Sequence, residues 1–196
     1  MSSSKSESKL KIDPNLFRKN LLQWYKANKR QLPWRYNQDE MADPYKVWMS
    51  EIMLQQTVVK TVIPYFNKFI DRWPTVHDLA ASPQEDIIDA WAGLGYYSRA
   101  RNLHKCAQQI VQDHNGVFPK EEKELLKLAG IGAYTAAAIR SIAYNMPANI
   151  IDGNVERVIS RVFMLQTPIK QNKSEIKDKA SQFIGSFEGN HSDYAQ

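Results

Sequence analysis

Leu128-Ala-Gly-Ile-Gly-Ala-Tyr-Thr-Ala-Ala-Ala-Ile139 is the stretch that decides the fold. Two glycines bracket Ile131, and a run of small residues follows at once. Gly130 and Gly132 permit a tight turn, through positive φ or close backbone approach. This is the layout of a helix-hairpin-helix. The turn points N–H groups, and the start of its second helix, outward. A helix start is a ready anion site, and a DNA phosphate fits it. A grip of that kind holds a duplex without reading its sequence. Gly-x-Gly alone suits an ordinary turn between core helices equally well. Leu128 before it and Thr135-Ala136 after it favour the DNA reading. The expected contact is Gly130, Ile131, Gly132, Ala133 and Thr135.

The rest of the chain reads as helix almost throughout. Leu16 to Ala27 is amphipathic, and a polar loop follows over 37–42. Asp43-Pro44 is an N-cap with proline at the first helical position. The helix it opens runs to about Gln56 and is apolar on nearly every side, so it belongs in a core. Val58 to Arg72 is helical despite Pro64, and Trp73-Pro74 ends it. Ser82-Pro83-Gln84-Glu85 reads as a capping box, opening a helix that stops at Gly93. Tyr96 to His114 is longer and closes on Asn115-Gly116. Beyond the hairpin, Asn154–Met164 and Ser174–Phe187 are helical. No strand-like alternation persists and no repeat occurs, so the expected class is all-α.

A net charge of +5 and an isoelectric point near 9.2 suit a polyanionic partner without proving one. The single cysteine, Cys106, excludes an internal disulfide and a cysteine-built metal cluster from this chain alone. It fits a reducing compartment. No apolar run is long enough to span a membrane, and the N-terminus lacks a secretory core. Residues 1–12 are expected to form a disordered Ser/Lys-rich tail.

Two carboxylates stand where they need a reason. Glu51 lies mid-way along the apolar helix, with Val47, Trp48, Leu54 and Gln55 on its face. Such surroundings favour the protonated form, which suits a general acid. A basic partner or an edge position would explain it equally. Asp152 precedes Gly153-Asn154 and a helical run, so it is an N-cap candidate. Helix N–H groups keep a carboxylate ionised. One protonated and one charged carboxyl divide the work of breaking a glycosidic bond through an oxocarbenium-like transition state.

Five segments together resemble the adenine DNA glycosylases of the MutY family, within the helix-hairpin-helix glycosylase superfamily. They are Leu32-Pro-Trp-Arg35, Asp43 to Thr57, Gly93 to Leu103, the hairpin over 128–139, and Asp152-Gly-Asn-Val-x-Arg157. The resemblance implies a six-helix barrel over 36–147 carrying the hairpin. It also implies an N-terminal helix over 13–35 packed on a partial second helical domain over 148–196. It implies that Glu51 protonates a flipped adenine mispaired with 8-oxoguanine or guanine and then helps to activate water. By the same resemblance Asp152 stabilises the sugar cation, and Tyr134 and Asn154 support the two carboxylates. Trp34, Arg35 and Leu54 line the base pocket, while Gln56 and Tyr96 fill or wedge the base stack. Ordinary readings stand beside these. Trp34 and Tyr96-Tyr97 suit a core, Gln55-Gln56 a solvated helix end, and Arg99, Arg101 and Lys105 an exposed helix face or a phosphate track.

Tyr134 separates two branches of the superfamily. The endonuclease III branch carries a lysine there as a Schiff-base nucleophile. A tyrosine implies base release without strand cleavage. The family also carries a 4Fe-4S cluster on four cysteines, followed by a domain that helps to recognise 8-oxoguanine. Those cysteines are absent from this chain, and the expectation is a C-terminally shortened sequence. Such a chain is expected to be less stable and to discriminate poorly for 8-oxoguanine. The loop before Asp43 looks a few residues longer than in relatives. The expected partner is double-stranded DNA, bound by a monomer with no membrane contact. The expected location is the cytoplasm, on the nucleoid if the source is bacterial.

Overall fold

In the computed structural model, residues 12–36, 41–184 and 189–196 are described, and the regular elements among them are helices. The expected tail, loop positions 37–40 and the end of the helix expected over Ser174–Phe187 fall wholly or partly outside those residues. The described residues group into two compact units. The smaller holds 12–28 with 151–184, and the larger holds the described part of 29–150 with 189–196. The boundaries expected near 35 and 147 therefore lie near 28 and 150, and 189–196 joins the larger unit.

Local sequence explains most helix ends. Helix α1 (Pro14–Asn28) starts where Asp13 Oδ1 accepts from Asn15 N–H at 2.8 Å. Helix α2 (Pro44–Leu54) starts where Asp43 Oδ1 accepts from Tyr45 N–H at 2.9 Å, with Pro44 at the first position. Helix α3 (Val59–Arg72) carries Pro64 and buries Val62, Phe66 and Phe69. Helix α4 (Val76–Ala81) is an element the periodicity did not predict. Thr75 and Asp78 form a reciprocal capping box at its start. The box expected at Ser82 before α5 (Gln84–Trp91) is not formed, and Pro83 is the N-cap without a side-chain bond. Ser82 Oγ is used elsewhere, donating to Asp78 C=O at 3.0 Å and accepting from Trp73 Nε1 at 2.5 Å. Helix α6 (Ser98–His114) begins two residues later than expected, because Tyr96 has φ +49°. Asn115 at φ +52° and Gly116 at φ +78° close it.

The hairpin's first arm is the short α7 (Glu122–Leu125), which the sequence reading did not single out. Its second arm is α8 (Ala133–Ala138), which continues as a π-helical turn over Ile139–Ala143. The smaller unit adds α9 (Gly153–Val162), a 3-10 turn (Ile169–Gln171) and α10 (Lys173–Ser181). Helix α11 (His191–Ala195) packs on the π turn in the larger unit, where Ser141 Oγ donates to His191 C=O at 3.1 Å.

The larger core is built around α2, whose Trp48, Met49 and Met53 are fully enclosed. Trp48 packs on Phe118 at 5.4 Å, and Phe69 lies between Trp73 and Trp91 at 4.9 and 5.7 Å. The smaller unit closes around Phe183, with Phe17 at 4.4 Å and Phe163 at 5.6 Å. Arg18 is buried there because the carbonyls of Phe183 and Ile184 accept from its Nη1.

Candidate active site

Helix α2 carries Glu51 at the edge of the core. Val47 and Trp48, one turn before it, are buried, whereas Glu51 and Leu54 are half-buried. The helix thus holds a carboxylate rigidly at the boundary between packed side chains and the surface. It ends at Leu54 in a tight turn closed by Thr57 N–H donating to Leu54 C=O at 3.3 Å. Gln55 (φ −57°, ψ 116°) and Gln56 (φ +56°) give that turn type II geometry. Glycine is the usual residue at the second central position. Gln56 is there instead, exposed, at a cost of roughly 1–2 kcal/mol.

A second turn of the same type follows α5. Leu94 N–H donates to Trp91 C=O at 3.1 Å, with Ala92 at ψ 126° and Gly93 at φ +102°. Here glycine does occupy the left-handed position. Two residues on, Gly95 at φ +69° leads into Tyr96 at φ +49°. Tyr96 is 61% exposed although aromatic.

Arg99 joins these two turns, and it corrects the sequence reading. It is neither an exposed helix residue nor a phosphate contact, since it is buried. Its Nη1 donates to the carbonyls of Ile52 (3.2 Å), Met53 (2.9 Å) and Gln55 (2.5 Å). Its Nη2 donates to Leu94 C=O (3.0 Å), Gly95 C=O (3.3 Å) and Thr57 Oγ1 (3.1 Å). Its guanidinium also lies over the rings of Trp91 and Tyr96, at 5.3 and 5.5 Å. Burial lowers its pKa, partly opposed by Tyr96. The last carbonyls of α2 supply the negative end that a cation favours. Residue types alone do not mark this role, because most of the acceptors are backbone carbonyls.

At the hairpin, the two glycines differ. Gly130 has φ +75°, and a Cβ there would lie 2.9 Å from Asn102 Cβ. Gly132 is extended (φ −98°, ψ 179°), and a Cβ there would meet nothing within 4 Å. It is the N-cap of α8, which has no side-chain cap. Gly132, Ala133 and Tyr134 are exposed, so the start of α8 opens to the surface. Ile131 and Thr135 point the other way and are buried. Their side chains hold the hairpin to the core, and only their backbone can serve a ligand.

Asp152 is the N-cap of α9. Its Oδ1 accepts from Asn154 N–H (2.9 Å) and Val155 N–H (2.8 Å). Its Oδ2 accepts from Asn154 Nδ2 at 3.1 Å. Arg157 Nη2 in turn donates to Asn154 Oδ1. Asp152, Asn154 and Arg157 thus form one chain of hydrogen bonds on the first turns of α9. Arg157 is the member that side-chain reasoning passed over, though its i, i+3 spacing to Asn154 marks it.

The segment before α2 is anchored on the larger unit. Trp34 is in the core, edge-on to Phe66 at 5.3 Å. Arg35 is half-buried, and its Nη1 and Nη2 donate to the carbonyls of Arg30 (3.2 Å) and Gln196 (3.0 Å).

A family model described as "HhH-GPD superfamily base excision DNA repair protein" matches residues 49–184. The chain belongs to that superfamily. The match spans Glu51, the hairpin and Asp152. Among HhH-GPD relatives, the chain is 47% identical over 151 residues to the adenine DNA glycosylase of Buchnera aphidicola subsp. Baizongia pistaciae, covering 76% of this chain and 42% of that one. It is 46% identical over 151 residues to the human adenine DNA glycosylase, covering 74% of this chain and 28% of that one. The chain therefore spans less than half the length of either relative. A solved thermostable thymine-DNA glycosylase superposes with a TM-score of 0.77 at 24% identity, covering 93% of this chain and 83% of that one. That likeness bears out the all-α helix-hairpin-helix glycosylase fold.

A 4Fe-4S cluster, which some HhH-GPD proteins are expected to hold, does not fit the residues here. It needs four thiolates, and the chain has one cysteine. Cys106 is fully buried in α6, and burial pushes its thiol pKa far up, away from the ligating form. Among the described residues no group of His, Cys, Asp and Glu is arranged to hold a metal ion. Nor is any described helix long and apolar enough to cross a membrane.

Proposed function

We propose that this chain performs the base-release step of an adenine DNA glycosylase, on adenine opposite 8-oxoguanine or guanine in double-stranded DNA. The observation that carries the reading is Asp152, a carboxylate held by two backbone N–H groups and one amide at a helix start. Rigid negative charge is what a developing sugar cation needs, and donors fixed in advance cost no reorganisation during reaction. The identity to adenine DNA glycosylases supports adenine as the base.

In this reaction the adenine is first extruded from the stack. Glu51 donates a proton to the base, the bond from adenine to C1′ of the deoxyribose breaks, and neutral adenine leaves. Asp152 stabilises the positive sugar. Glu51, now ionised, takes a proton from the water that bonds to C1′. Asn154, fixed by Arg157, keeps Asp152 in place. Tyr134 supports the pocket, and Leu54 and Arg35 border it. With no lysine at position 134, the sugar–phosphate strand stays whole. Gly130, Gly132 and Ala133 hold the duplex backbone, and Gln56 and Tyr96 enter the space the base leaves. The enzyme acts as a monomer, on chromosomal DNA in the cytoplasm if the source is bacterial.

The test is single-turnover release of free adenine from a duplex with one adenine opposite 8-oxoguanine or guanine, analysed with and without alkali. The chain is expected to release adenine and to leave an alkali-labile site, and Glu51→Gln to slow release by about 10²–10⁴-fold with duplex binding kept. Binding without release by the unmodified chain would make it a DNA-binding fragment. Release of thymine or an oxidised pyrimidine instead would move it to another branch.

A further inference from the structure

Gln56 and Tyr96 share an unusual backbone. Each is a non-glycine residue in the left-handed region, at φ +56° and +49°. The adjacent turn over 91–94 shows the ordinary solution, with Gly93 in that position. The two residues proposed to enter the DNA stack therefore sit where their side chains are disfavoured. Something must hold them there.

We propose that Arg99 is the positioning residue for both. Its guanidinium fixes the peptide groups that lead into Gln56 and Tyr96, and so sets the direction of the two inserting side chains together. The argument is geometric. Types I and II differ in the orientation of the central peptide of the turn. In the turn over 54–57 that peptide is Gln55–Gln56, and its carbonyl accepts from Arg99 Nη1 at 2.5 Å and, more weakly, from Thr57 Oγ1 at 3.2 Å, whose oxygen in turn accepts from Arg99 Nη2 at 3.1 Å. Releasing it lets the peptide flip, which returns Gln56 to negative φ. At the second site, Gly95 C=O accepts from Arg99 Nη2 at 3.3 Å and from Trp91 Nε1 at 3.1 Å. This is the peptide entering Tyr96, whose ring also lies beside the same guanidinium. One planar, two-armed group spans both turns, which a lysine ammonium cannot do. No carboxylate pairs with Arg99 among the described residues, so its polar partners are the carbonyls and hydroxyl of these turns.

The inference rests on the proposed insertion of Gln56 and Tyr96 into DNA, but its first test needs no DNA. Arg99→Lys, Gln56→Gly and the double variant are compared by thermal unfolding. Alone, Arg99→Lys is expected to lower Tm by about 5 °C. In the Gln56→Gly background, where the left-handed turn needs no support, it is expected to cost no more than about 2 °C. An equal cost in both backgrounds overturns the proposal, because it leaves Arg99 a merely structural residue. If Arg99→Lys does not fold, rescue of its folding by Gln56→Gly supports the proposal, and failure to fold in both backgrounds overturns it. The second test is single-turnover adenine release. Arg99→Lys is expected to slow release by about 10²-fold at saturating protein, with duplex affinity little changed. Unchanged release, in a chain that does release adenine, overturns the proposal. If the unmodified chain releases none, the glycosylase reading fails, and the unfolding cycle still decides whether Arg99 holds the turn over 54–57.

Discussion

Helices α8 and α9 start in opposite ways. At α9, Asp152 fills the helix start with the chain's own carboxylate, bonded to the N–H groups of Asn154 and Val155. At α8, Gly132 has no side chain to offer, and the space beside it is open. Both starts present the positive end of a helix. One is neutralised from within and so gains a fixed anion that can face a cation. The other carries no side-chain cap. In the proposed reaction the first start serves the sugar cation and the second a phosphate of the duplex, so the contrast between Asp152 and Gly132 is one between chemistry and grip.

The strongest way to break this contrast is to remove the charge but keep the cap. Asp152→Asn is expected to preserve the fold, because asparagine caps as well as aspartate. Adenine release under single turnover should fall by about 10²–10⁴-fold. Asp152→Ala should show the same loss and lower stability by about 1 kcal/mol besides. Near-normal release by Asp152→Asn would reduce Asp152 to a structural cap.

The reverse exchange comes next in size. Gly132→Asp gives α8 the kind of start that α9 has. The backbone at 132 is extended and the Cβ is unobstructed, so the chain accepts the change. Stability should stay level or rise by a few tenths of a kcal/mol. Duplex affinity should fall by about tenfold or more, as a carboxylate occupies the place of a phosphate. Binding isotherms at fixed salt read this directly. Undiminished affinity would show that the duplex is held elsewhere.

The two hairpin glycines sharpen the point further. Gly130→Ala forces a side chain onto φ +75° and against Asn102, and should cost about 1–3 kcal/mol in unfolding measurements. Gly132→Ala meets neither obstacle and loses only glycine's advantage over alanine as an N-cap, so it should cost less, at about 0.5–1 kcal/mol. Equal costs would mean that both glycines serve the fold, and that Gly132 is not kept for a ligand.

The sequence made some of this legible. Asp43-Pro44 and Asp152-Gly-Asn154 were readable because a cap acts over three residues, within one stretch of chain. The hairpin was readable for the same reason. Arg99 was not, because its acceptors are backbone carbonyls at 52–55 and 94–95, which carry no residue identity. Ser82 misled for a related reason: its local role as a cap lost to Trp73, a partner nine residues away that periodicity cannot show. Helices α4 and α7 are too short, at 6 and 4 residues, for a period of 3.6 to stand out.

The smallest expected effect concerns how α8 is held if its start is kept open. Helix α9 is fixed at its front by Asp152. Helix α8 and its π turn are fixed at the back instead. Tyr144 O–H donates to Phe118 C=O at 2.5 Å, and Ser141 reaches His191 C=O. Tyr144 is half-buried, and burial, then the nearby charge of Asp43, pushes its pKa from 10.0 up to about 12. The folded state thus favours the protonated phenol. Its contribution is fully present below pH 10 and is lost as pH rises from there through about 12. Tyr144→Phe removes that contribution, so the variant should be slightly less stable at neutral pH but lose less stability over that alkaline window. Denaturant unfolding at pH 8 and at stepped values above 10 compares the two slopes. Parallel slopes would show that the back of the hairpin is anchored without Tyr144. The open start of α8 would then depend on Ser141 and the packing of α11 for its rigidity.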